Sequence, residues 1–207
     1  MAGRPLLGYL LDRLEGCRSL AGVVVATSRQ PSDNPLVDFC REEKREVVRG
    51  SLENVAGRFL AVLEGRPWEA FVRICADSPW LDPTLVDKGV NLYHGHRADL
   101  VTNVNPRTFP PGQSVEVVKA ATFRRIYQEM AEPADLEHVT RFLYRHLERF
   151  KMVNFTSGQD FGGLSLAVDT TEELARFERI VSRLESPQAE LNLSEVVDLY
   201  QQAQGEG

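Results

Sequence analysis

Hydrophobic residues recur along the chain in two alternating patterns, one with helical spacing and one of short continuous runs. "RPLLGYLLDRL" places its leucines on one helical face, and "GVVVATS" is a β-branched run typical of a strand buried on both faces. The same alternation continues through "SDNPLVDFCREEK", "EVVRG", "LENVAGRFLAVLEG" and "EAFVRICA". Strands that alternate with helices predict a parallel sheet with helices on both of its faces.

The second half of the chain keeps both patterns but loses the strict alternation. "ADLVTN" and "SVEVVK" are predicted strands joined by a Pro-rich connection, in which Pro111-Gly112 suits a type II turn. We predict two helices, "AATFRRIYQEMA" and "ADLEHVTRFLYRHLERF", followed by the strands "KMVNFT" and "LSLAVDT". A helix over "TEELARFERIVSRL" and a short helix over "LSEVVDLYQQA" are predicted to end the chain. A hairpin-like excursion fits this order better than another strand-helix-strand unit, so we expect a mixed sheet.

Three predicted helices carry capping signals at their first residues. Ser51 is placed to cap the helix that follows it, and Asp82 with Pro83 forms a cap and first-turn pair. Thr170 with Glu173 three positions later forms a capping box. These signals fix where the helices begin.

Composition narrows the class of protein. With 207 residues, 43% of them hydrophobic, and no marked linker, we expect a single domain over residues 1–207. The net charge of -6 argues against a nucleic-acid partner. Three widely spaced cysteines indicate neither a disulfide framework nor a zinc site, which favours a reducing, cytoplasmic setting. We expect no membrane span and no signal peptide, because no apolar run approaches the roughly 18 to 20 residues a span needs.

Two predicted strands end in a carboxylate, Asp77 after "RICA" and Asp169 after "LSLAV". Ligands of open α/β sheets bind beyond the carboxyl ends of the strands. Two carboxylates about 4 Å apart repel by about 1 kcal/mol in water, and by about 4 kcal/mol at an effective dielectric of 20, unless a cation lies between them. Mg²⁺ takes such ligands together with substrate phosphates. The alternative, that Asp77 only caps the next turn, stays open at this point.

A set of segments points to a known family: "GRPLLGYLLDRL", "VVRGSLENVAGRF", "RICADSPWLDP", "NPRTFPPGQSVEV", "DLEHVTRFLYRH" and "LAVDTTEEL". In this order, over residues 2 to 185, the chain resembles the cytidylyltransferases named for spore coat polysaccharide biosynthesis protein F (SpsF), relatives of CMP-KDO synthetase. The resemblance implies a nucleotide-diphospho-sugar transferase fold, which is a GT-A-like and Rossmann-like three-layer α/β sandwich with a mixed sheet. It also implies transfer of CMP from CTP to a sugar or sugar acid, with release of pyrophosphate, for surface polysaccharide or glycan synthesis.

The resemblance carries roles to individual residues. Asp77 and Asp169 would be the catalytic ligands of Mg²⁺. The nucleotide-binding residues would be Arg49, Gly50, Ser51, Arg58 and Arg73, and the residues facing the acceptor sugar would be Arg107, Glu116 and His138. Arg58 as a solvated helix residue and His138 as a packing residue remain alternatives. The expected partners are CTP and a sugar acceptor of unknown identity, and a homodimer stays open.

The chain departs from the family pattern at two internal positions. Ala76 stands where the family has a glycine just before the metal aspartate, which adds a methyl group near the expected phosphate or base. Gln113-Ser114 stands where the family has Leu-Asp, which removes a carboxylate and leaves the usual acceptor contact open.

A third departure lies at the beginning of the chain. Family members start with a strand and a Gly- and Arg-containing loop that holds the triphosphate, whereas this sequence starts at Met1, just after that loop. Losing four or five buried aliphatic side chains of a central strand removes about 6 to 15 kcal/mol, comparable with the stability of a whole domain. We expect Met1 to be internal to a longer protein; closure of the neighbouring strands, or a partner chain that supplies the missing edge, are the alternatives.

Other functions compete with catalysis. Without the phosphate loop, the chain would be an inactive family member that serves as a binding or partner module, although the retained Asp77 and Asp169 argue against this. A glycosyltransferase of similar fold would want an Asp-x-Asp pair, and "ADSPW" offers one aspartate. The His94 and His96 pair fits a solvated helix end better than a metal site.

Overall fold

The computed structural model describes residues 4–159, 161, 163–184 and 188–204. The strands in this part of the chain are β1 (Val24–Ser28), β2 (Glu46–Gly50), β3 (Ala70–Arg73), β4 (Leu100–Thr102), β5 (Glu116–Lys119) and β6 (Met152–Asn154). The α-helices are α1 (Leu6–Glu15), α2 (Asn34–Glu42), α3 (Val55–Leu63), α4 (Pro83–His96), α5 (Ala120–Tyr127), α6 (Pro133–Glu137), α7 (Arg141–Arg145), α8 (Thr171–Ser182) and α9 (Leu193–Gln204). The predicted alternation of strands and helices in the first half is confirmed.

The strands form two separate ladders. β1 and β2 pair in parallel, with Val25 opposite Val47. The other ladder has the order β3-β5-β4-β6, in which β5 is antiparallel to both of its neighbours and β4 is parallel to β6. The sheet is therefore mixed, as the hairpin-like excursion in the second half predicted.

Helices cover both faces of the strands and make three layers. One face packs on α1, α2 and α4, with Leu10, Val86 and Val117 among the buried residues. The other face packs on α3, α5 and α7, with Phe123 and Val118 buried there. Because Val117 and Val118 are neighbours on β5, the alternation of side chains along one strand accounts for the two cores.

An apolar opening, which we call the inter-sheet slot, lies between β1 and β3. Among the described residues, β1 pairs with β2 and β3 pairs with β5, and no ladder joins β1 to β3. The slot has a volume of about 620 Å³. Leu10 and Leu14 of α1 and Val90 of α4 line it, together with Phe59 and Val62 of α3. Among the described residues the neighbouring strands have therefore not closed up, so the alternative that predicted their closure is wrong.

The C-terminal helices build a third apolar core against the segment that follows β3. Trp80 is fully buried there with Phe177 and Tyr200, and its indole N–H donates to the Tyr200 hydroxyl at 2.8 Å. Trp80 is thus a packing residue. The core fixes the segment after Asp77 to helices that come 90 or more residues later in the chain.

Two of the predicted caps are confirmed. Asp82 accepts a hydrogen bond from the backbone N–H of Thr84 at 2.8 Å and begins α4. Thr170 and Glu173 form the capping box of α8. The prediction for Ser51 is wrong, because Asn54 is the residue that caps α3, and the Ser51 hydroxyl instead accepts from the backbone N–H of Asn54.

The long helix predicted over "ADLEHVTRFLYRHLERF" is also wrong, because it is broken into α6, α7 and a short 3-10 turn. His138 leaves the helical conformation at φ -104° and ψ 84°. The break lets the buried Asp135 carboxylate bind Arg141 at 2.6 Å and Arg145 at 3.1 Å. A buried carboxylate needs such partners, and a continuous helix pattern does not reveal them.

The segment "LSLAVDT" does not form the predicted strand. The backbone N–H of Leu166 donates to the Pro111 carbonyl at 2.8 Å, and that of Val168 donates to the Asp77 carbonyl at 2.9 Å. These single bonds reach two different segments, so no ladder forms. Gly112 has the positive φ of +88° that the Pro-Gly turn requires, and a Cβ there would meet the Leu166 backbone at 2.5 Å.

None of the helices in the described part of the chain combines the length and the apolar character needed to cross a bilayer. The longest of them, α4, has 14 residues. At 1.5 Å per residue that is about 21 Å, short of a hydrocarbon core of about 30 Å.

Candidate active site

The structure brings the segments of Asp77 and Asp169 together. Asp77 lies in the turn that follows β3, and Asp169 lies directly before the capping residue of α8. The bond from the Val168 N–H to the Asp77 carbonyl, at 2.9 Å, joins the two segments next to both side chains. The backbones of the two segments therefore meet, as the shared metal site implied by the resemblance requires, although Asp169 follows an irregular segment rather than a strand.

The charges of Asp77 and Asp169 both raise the pKa of the Cys75 thiol, and the Asp77 charge also raises that of Asp169. Partial burial, then the Asp77 charge and then the Glu173 charge raise the pKa of the Asp169 carboxyl above its ordinary value. Burial raises the pKa of the Cys75 thiol, and Asp77, Glu116 and Asp169 act in the same direction. The Arg73 guanidinium opposes this rise. The site therefore concentrates negative charge beside the partly buried guanidinium of Arg73.

The Asp77 side chain does not cap the following turn in the way that the alternative predicted. Its carboxylate accepts a hydrogen bond from the Ser78 hydroxyl at 2.7 Å. Among the described residues, no backbone N–H donates to it. Most of its lone pairs are thus left for another ligand.

A divalent cation fits this donor set. A carboxylate whose ionisation is disfavoured by a neighbouring carboxylate is stabilised by a cation that prefers hard oxygen ligands. In the part of the chain that the structure describes, no group of three or more His, Cys, Asp or Glu side chains is arranged to hold a metal. The pair therefore suits an ion that takes its other ligands from phosphate and water, as Mg²⁺ does. His94 and His96 are exposed at the end of α4.

Four of the five residues predicted to bind the nucleotide lie near the carboxyl ends of β1 and β2. Arg49 donates to the carbonyls of Ser28 at 2.8 Å and Gln30 at 3.0 Å, so it holds the loop after β1. Gly50 is the last residue of β2, and Ser51 follows it, exposed. Arg49 thus orders the backbone at this edge.

Arg58 differs from the others in having a hydrogen-bond donor without a partner among the described residues. Its side chain lies against Gly50, where an added Cβ would meet Arg58 Cγ at 2.6 Å, so only glycine leaves room for it. Arg58 Nε is buried, and within the described residues it has no hydrogen-bond partner. Burial lowers the pKa of its guanidinium, and the charge of Asp33 opposes that shift. An unpaired buried donor of this kind calls for an acceptor, so Arg58 is not a plain solvated residue.

A second pocket of about 370 Å³, the arginine pocket, gathers the three residues predicted to face the acceptor. Arg107, Glu116 and His138 all line it, together with Arg73, Tyr144, Arg141 and Arg145. His138 is exposed at the wall of this pocket, so it does not pack between helices. Arg73, which the resemblance assigned to the nucleotide, lies with this group rather than with Arg49 and Arg58.

A buried carboxylate organises the arginine pocket. Arg73 and Glu116 are register partners on β3 and β5, and their side chains form an ion pair at 2.9 Å. The Tyr144 hydroxyl donates to the other Glu116 oxygen at 2.7 Å and lies 2.7 Å from the Thr102 hydroxyl. Burial, with the Glu116 charge, raises the pKa of Tyr144 far above its ordinary value, so this phenol stays protonated and keeps donating.

Sequence reasoning missed Tyr144, Arg141 and Arg145. All three lie in what the sequence presents as one amphipathic helix, and nothing in their spacing shows that α7 turns toward β5. The Asp135 carboxylate, 3% exposed, pairs with both arginines and sets their place at the pocket.

The departures at Gln113 and Ser114 have different consequences. The Gln113 amide is buried; it donates to the Trp80 carbonyl at 2.7 Å and accepts from the Asp82 N–H at 2.9 Å. Gln113 therefore has a structural role, because its side chain connects its own turn to the backbone of Trp80 and Asp82. The Ser114 hydroxyl accepts from Arg107 at 3.0 Å, so it holds that side chain at the pocket in place of a carboxylate.

Comparison with known proteins identifies the class. A family model described as cytidylyltransferase matches residues 1–204, so the chain belongs to the cytidylyltransferase family. Spore coat polysaccharide biosynthesis protein SpsF of Bacillus subtilis is 27% identical over 180 residues, which are 86% of this chain and 73% of that protein. The predicted resemblance is confirmed.

Solved structures agree on the fold. A cytidylyltransferase from Leptospira borgpetersenii superimposes with a TM-score of 0.86 at 24% identity, over 99% of this chain and 84% of that one. CMP:2-keto-3-deoxy-manno-octonic acid synthetase, solved with CTP, gives a TM-score of 0.64 at 11% identity, over 88% of this chain and 90% of that one. A Mycobacterium tuberculosis protein, solved with manganese, gives 0.57 at 15% identity, over 89% of each chain. The nucleotide-diphospho-sugar transferase fold is thus established.

Proposed function

We propose that this protein transfers CMP from CTP to a hydroxyl of a sugar or sugar acid and releases pyrophosphate, in the synthesis of a surface glycan. Membership of the cytidylyltransferase family supports the nucleotide. The SpsF relative supports a role in polysaccharide synthesis, and the synthetase solved with CTP supports an acidic sugar as one class of acceptor.

The observation that carries the proposal is the convergence of the Asp77 and Asp169 segments beside the arginine pocket. Arg73 connects the two, because it lines the pocket and also acts electrostatically on Cys75, between Arg73 and Asp77 in sequence. A nucleotide phosphate at the aspartates and an acceptor in the pocket would lie on two sides of one reacting centre.

In the reaction, the acceptor oxygen forms a bond to the α-phosphorus of CTP while the bond to the bridging oxygen breaks. Pyrophosphate leaves with the electron pair of the broken bond between the α-phosphorus and the α–β bridging oxygen, and the hydroxyl proton passes to solvent water. Such a step asks mainly for positioning and charge neutralisation. Mg²⁺ bound by Asp77 and Asp169 would neutralise phosphate charge. Arg73 and Arg107 would orient the acceptor, with Glu116 holding Arg73 and Ser114 holding Arg107.

Pyrophosphate release tests this proposal. The chain is incubated with CTP, Mg²⁺ and a panel of neutral and acidic sugars, and each candidate product is identified by mass. We expect CTP-dependent product with at least one acceptor, and at least a hundredfold loss of rate in Asp77→Asn and in Asp169→Asn. Asp38→Asn, on the exposed face of α2, is the matched control and should keep the wild-type rate.

Two results would contradict it. Unchanged rates in both aspartate variants would show that Asp77 and Asp169 do not form the active site. Binding of a sugar by a well-folded chain that never turns over CTP would favour the binding module, which keeps the fold without the chemistry.

A further inference from the structure

The buried Glu116 carboxylate of the arginine pocket is bonded on both of its oxygens by the protein itself. One oxygen accepts from Arg73 at 2.9 Å, and the other accepts from Tyr144 at 2.7 Å. Glu116 is 2% exposed. It therefore fixes two side chains of the pocket and leaves almost no surface for contact with a sugar hydroxyl.

Asp135 does the same for two arginines of α7. Its buried carboxylate accepts from Nη1 of Arg141 at 2.6 Å and from Nη1 of Arg145 at 3.1 Å. Glu132 lies 3.0 Å and 2.7 Å from the same two nitrogens. Arg141 and Arg145 are four residues apart, so they lie on one face of the helix. The two guanidiniums are thus fixed side by side from the α6 side of the pocket.

The arginines of the pocket leave their other nitrogens available. Arg73 donates from Nη1 to Glu116, and Arg107 donates from Nη1 to Ser114. Among the described residues, every hydrogen bond from the four arginines that line the pocket starts at Nη1. A guanidinium has five N–H donors and no acceptor. The charged groups that can reach an occupant are therefore donors.

The charges at the pocket leave one cation in excess. Arg73, Arg141 and Arg145 pair with three carboxylates, whereas Arg107 has the Ser114 hydroxyl as its partner among the described residues. An occupant with one negative charge would balance this excess. A carboxylate has that charge, and its two oxygens match the fork of a guanidinium.

We propose that Arg141 and Arg145 are specificity-determining residues that bind the carboxylate of an acidic sugar, and that Asp135 is the residue that positions them. The inference rests on the proposed function, because the occupant it names is the acceptor of CMP. A neutral sugar of the same shape leaves the guanidinium donors without partners, so the pocket discriminates against it. None of these three residues was assigned a role by the resemblance.

The test measures binding, so that it does not depend on turnover. The full chain is titrated calorimetrically with glucuronate, galacturonate and 2-keto-3-deoxy-manno-octonate, each compared with its methyl ester as the uncharged counterpart. Glucose 6-phosphate adds a phosphate in place of the carboxylate. The titrations are run with and without Mg²⁺ and a CTP analogue that has a methylene group between the α- and β-phosphates. We expect at least one acid to bind at least tenfold more tightly than its ester.

Variants assign this preference to residues. Arg141→Gln and Arg145→Gln should each lower the ratio of acid to ester affinity at least fivefold, and Asp135→Asn should lower it as well. Arg149→Gln is the matched control, because Arg149 is as exposed as Arg145, at 39%, but pairs with Glu129 and does not line the pocket.

The ratio separates binding from a loss of structure. A folding defect lowers the affinities for acid and ester alike, so it leaves the ratio unchanged. Arg141→Lys and Arg145→Lys keep the charge and lose the planar fork, and they should give intermediate ratios. The lysine variants test the subsite even where Asp135→Asn does not fold.

Three results would overturn the inference. They are that no acid binds more tightly than its ester, that glucose 6-phosphate binds more tightly than every acid, or that the ratio is unchanged in both glutamine variants. An acid that binds through Arg141 and Arg145 but never receives CMP would contradict the proposed function and support the subsite. Transfer of CMP to neutral sugars, with equal affinities for acid and ester, would do the reverse.

Discussion

The two parts of the sheet differ in how far each satisfies its own backbone and buries its own side chains. In the four-stranded ladder, β4 and β5 are paired on both sides, and the side chains they turn inward are buried. In the two-stranded ladder, β1 lies open to the inter-sheet slot and its valines are half-exposed. The contrast shows that, among the described residues, the inner strands of one ladder are paired and buried on both sides, whereas β1 borders an apolar opening.

The polar side chains near the two ladders differ in the same way. The arginine pocket rests on the complete ladder, where Glu116 is fixed by Arg73 and Tyr144. Four of the five residues predicted to bind the nucleotide lie near the ends of β1 and β2, where Arg58 retains a buried donor that has no partner among the described residues. The arginine pocket is therefore preorganised by ion pairs and hydrogen bonds, whereas the region around Arg58 still has an unsatisfied donor.

The largest expected effect comes from two phenylalanines that touch the same ring. Phe123 lies 5.0 Å and Phe59 lies 5.4 Å from Phe71, measured between ring centroids. Phe123→Ala, at a fully buried position, should lower the free energy of unfolding by about 3 to 5 kcal/mol. Phe59→Ala should cost roughly half as much, because its side chain already borders the slot. Urea denaturation of both variants measures the difference, and equal losses would contradict the contrast between the two regions.

A smaller effect is expected where the complete ladder supports the arginine pocket. Tyr144→Phe removes a hydroxyl that bonds Glu116 and Thr102, each at 2.7 Å, and should lower the free energy of unfolding by about 1 to 3 kcal/mol. Tyr93→Phe is the matched control, because its hydroxyl donates one long bond of 3.3 Å to the Glu69 carbonyl, and it should cost less. A Tyr144 variant as stable as the control would mean that the network does not fix Glu116.

The smallest effect is a pH dependence at the end of β1. Hydrogen bonds from Ser28 and Thr27 lower the pKa of Asp33 to about 2, from an ordinary value of 3.8. A lowered folded-state pKa contributes stability that is present above 3.8 and is lost as pH falls toward about 2. The difference in free energy of unfolding between the wild type and Asp33→Asn should therefore shrink across this window. A difference that stays constant would contradict the assignment.

Local rules predicted much of the fold because their causes lie within a few residues. The strand at "GVVVATS", the cap at Asp82 and the capping box at Thr170 each depend on neighbours in the chain. The backbones beside Asp77 and Asp169 are joined by one hydrogen bond, as the shared metal site implied by the resemblance requires, and the joint role of the two carboxylates stays a prediction.

The errors have long-range causes. The break at His138 places the buried Asp135 next to two arginines, and the segment around Leu166 bonds to two distant loops instead of a ladder. The register of β3 with β5 sets Arg73 against Glu116, a contact that the sequence does not reveal, and the nucleotide role assigned to Arg73 stays a prediction. Pairing of this kind is not encoded in any single stretch of sequence.

The central claim is that Asp77 and Asp169 together hold a nucleotide through a divalent cation. Its most direct test is calorimetric titration of the chain with CTP, with and without Mg²⁺, in the wild type, Asp77→Asn, Asp169→Asn and the Asp38→Asn control. The account predicts Mg²⁺-dependent CTP binding that both site variants lose and the control keeps. CTP binding with the same Mg²⁺ dependence in Asp77→Asn and Asp169→Asn would contradict it.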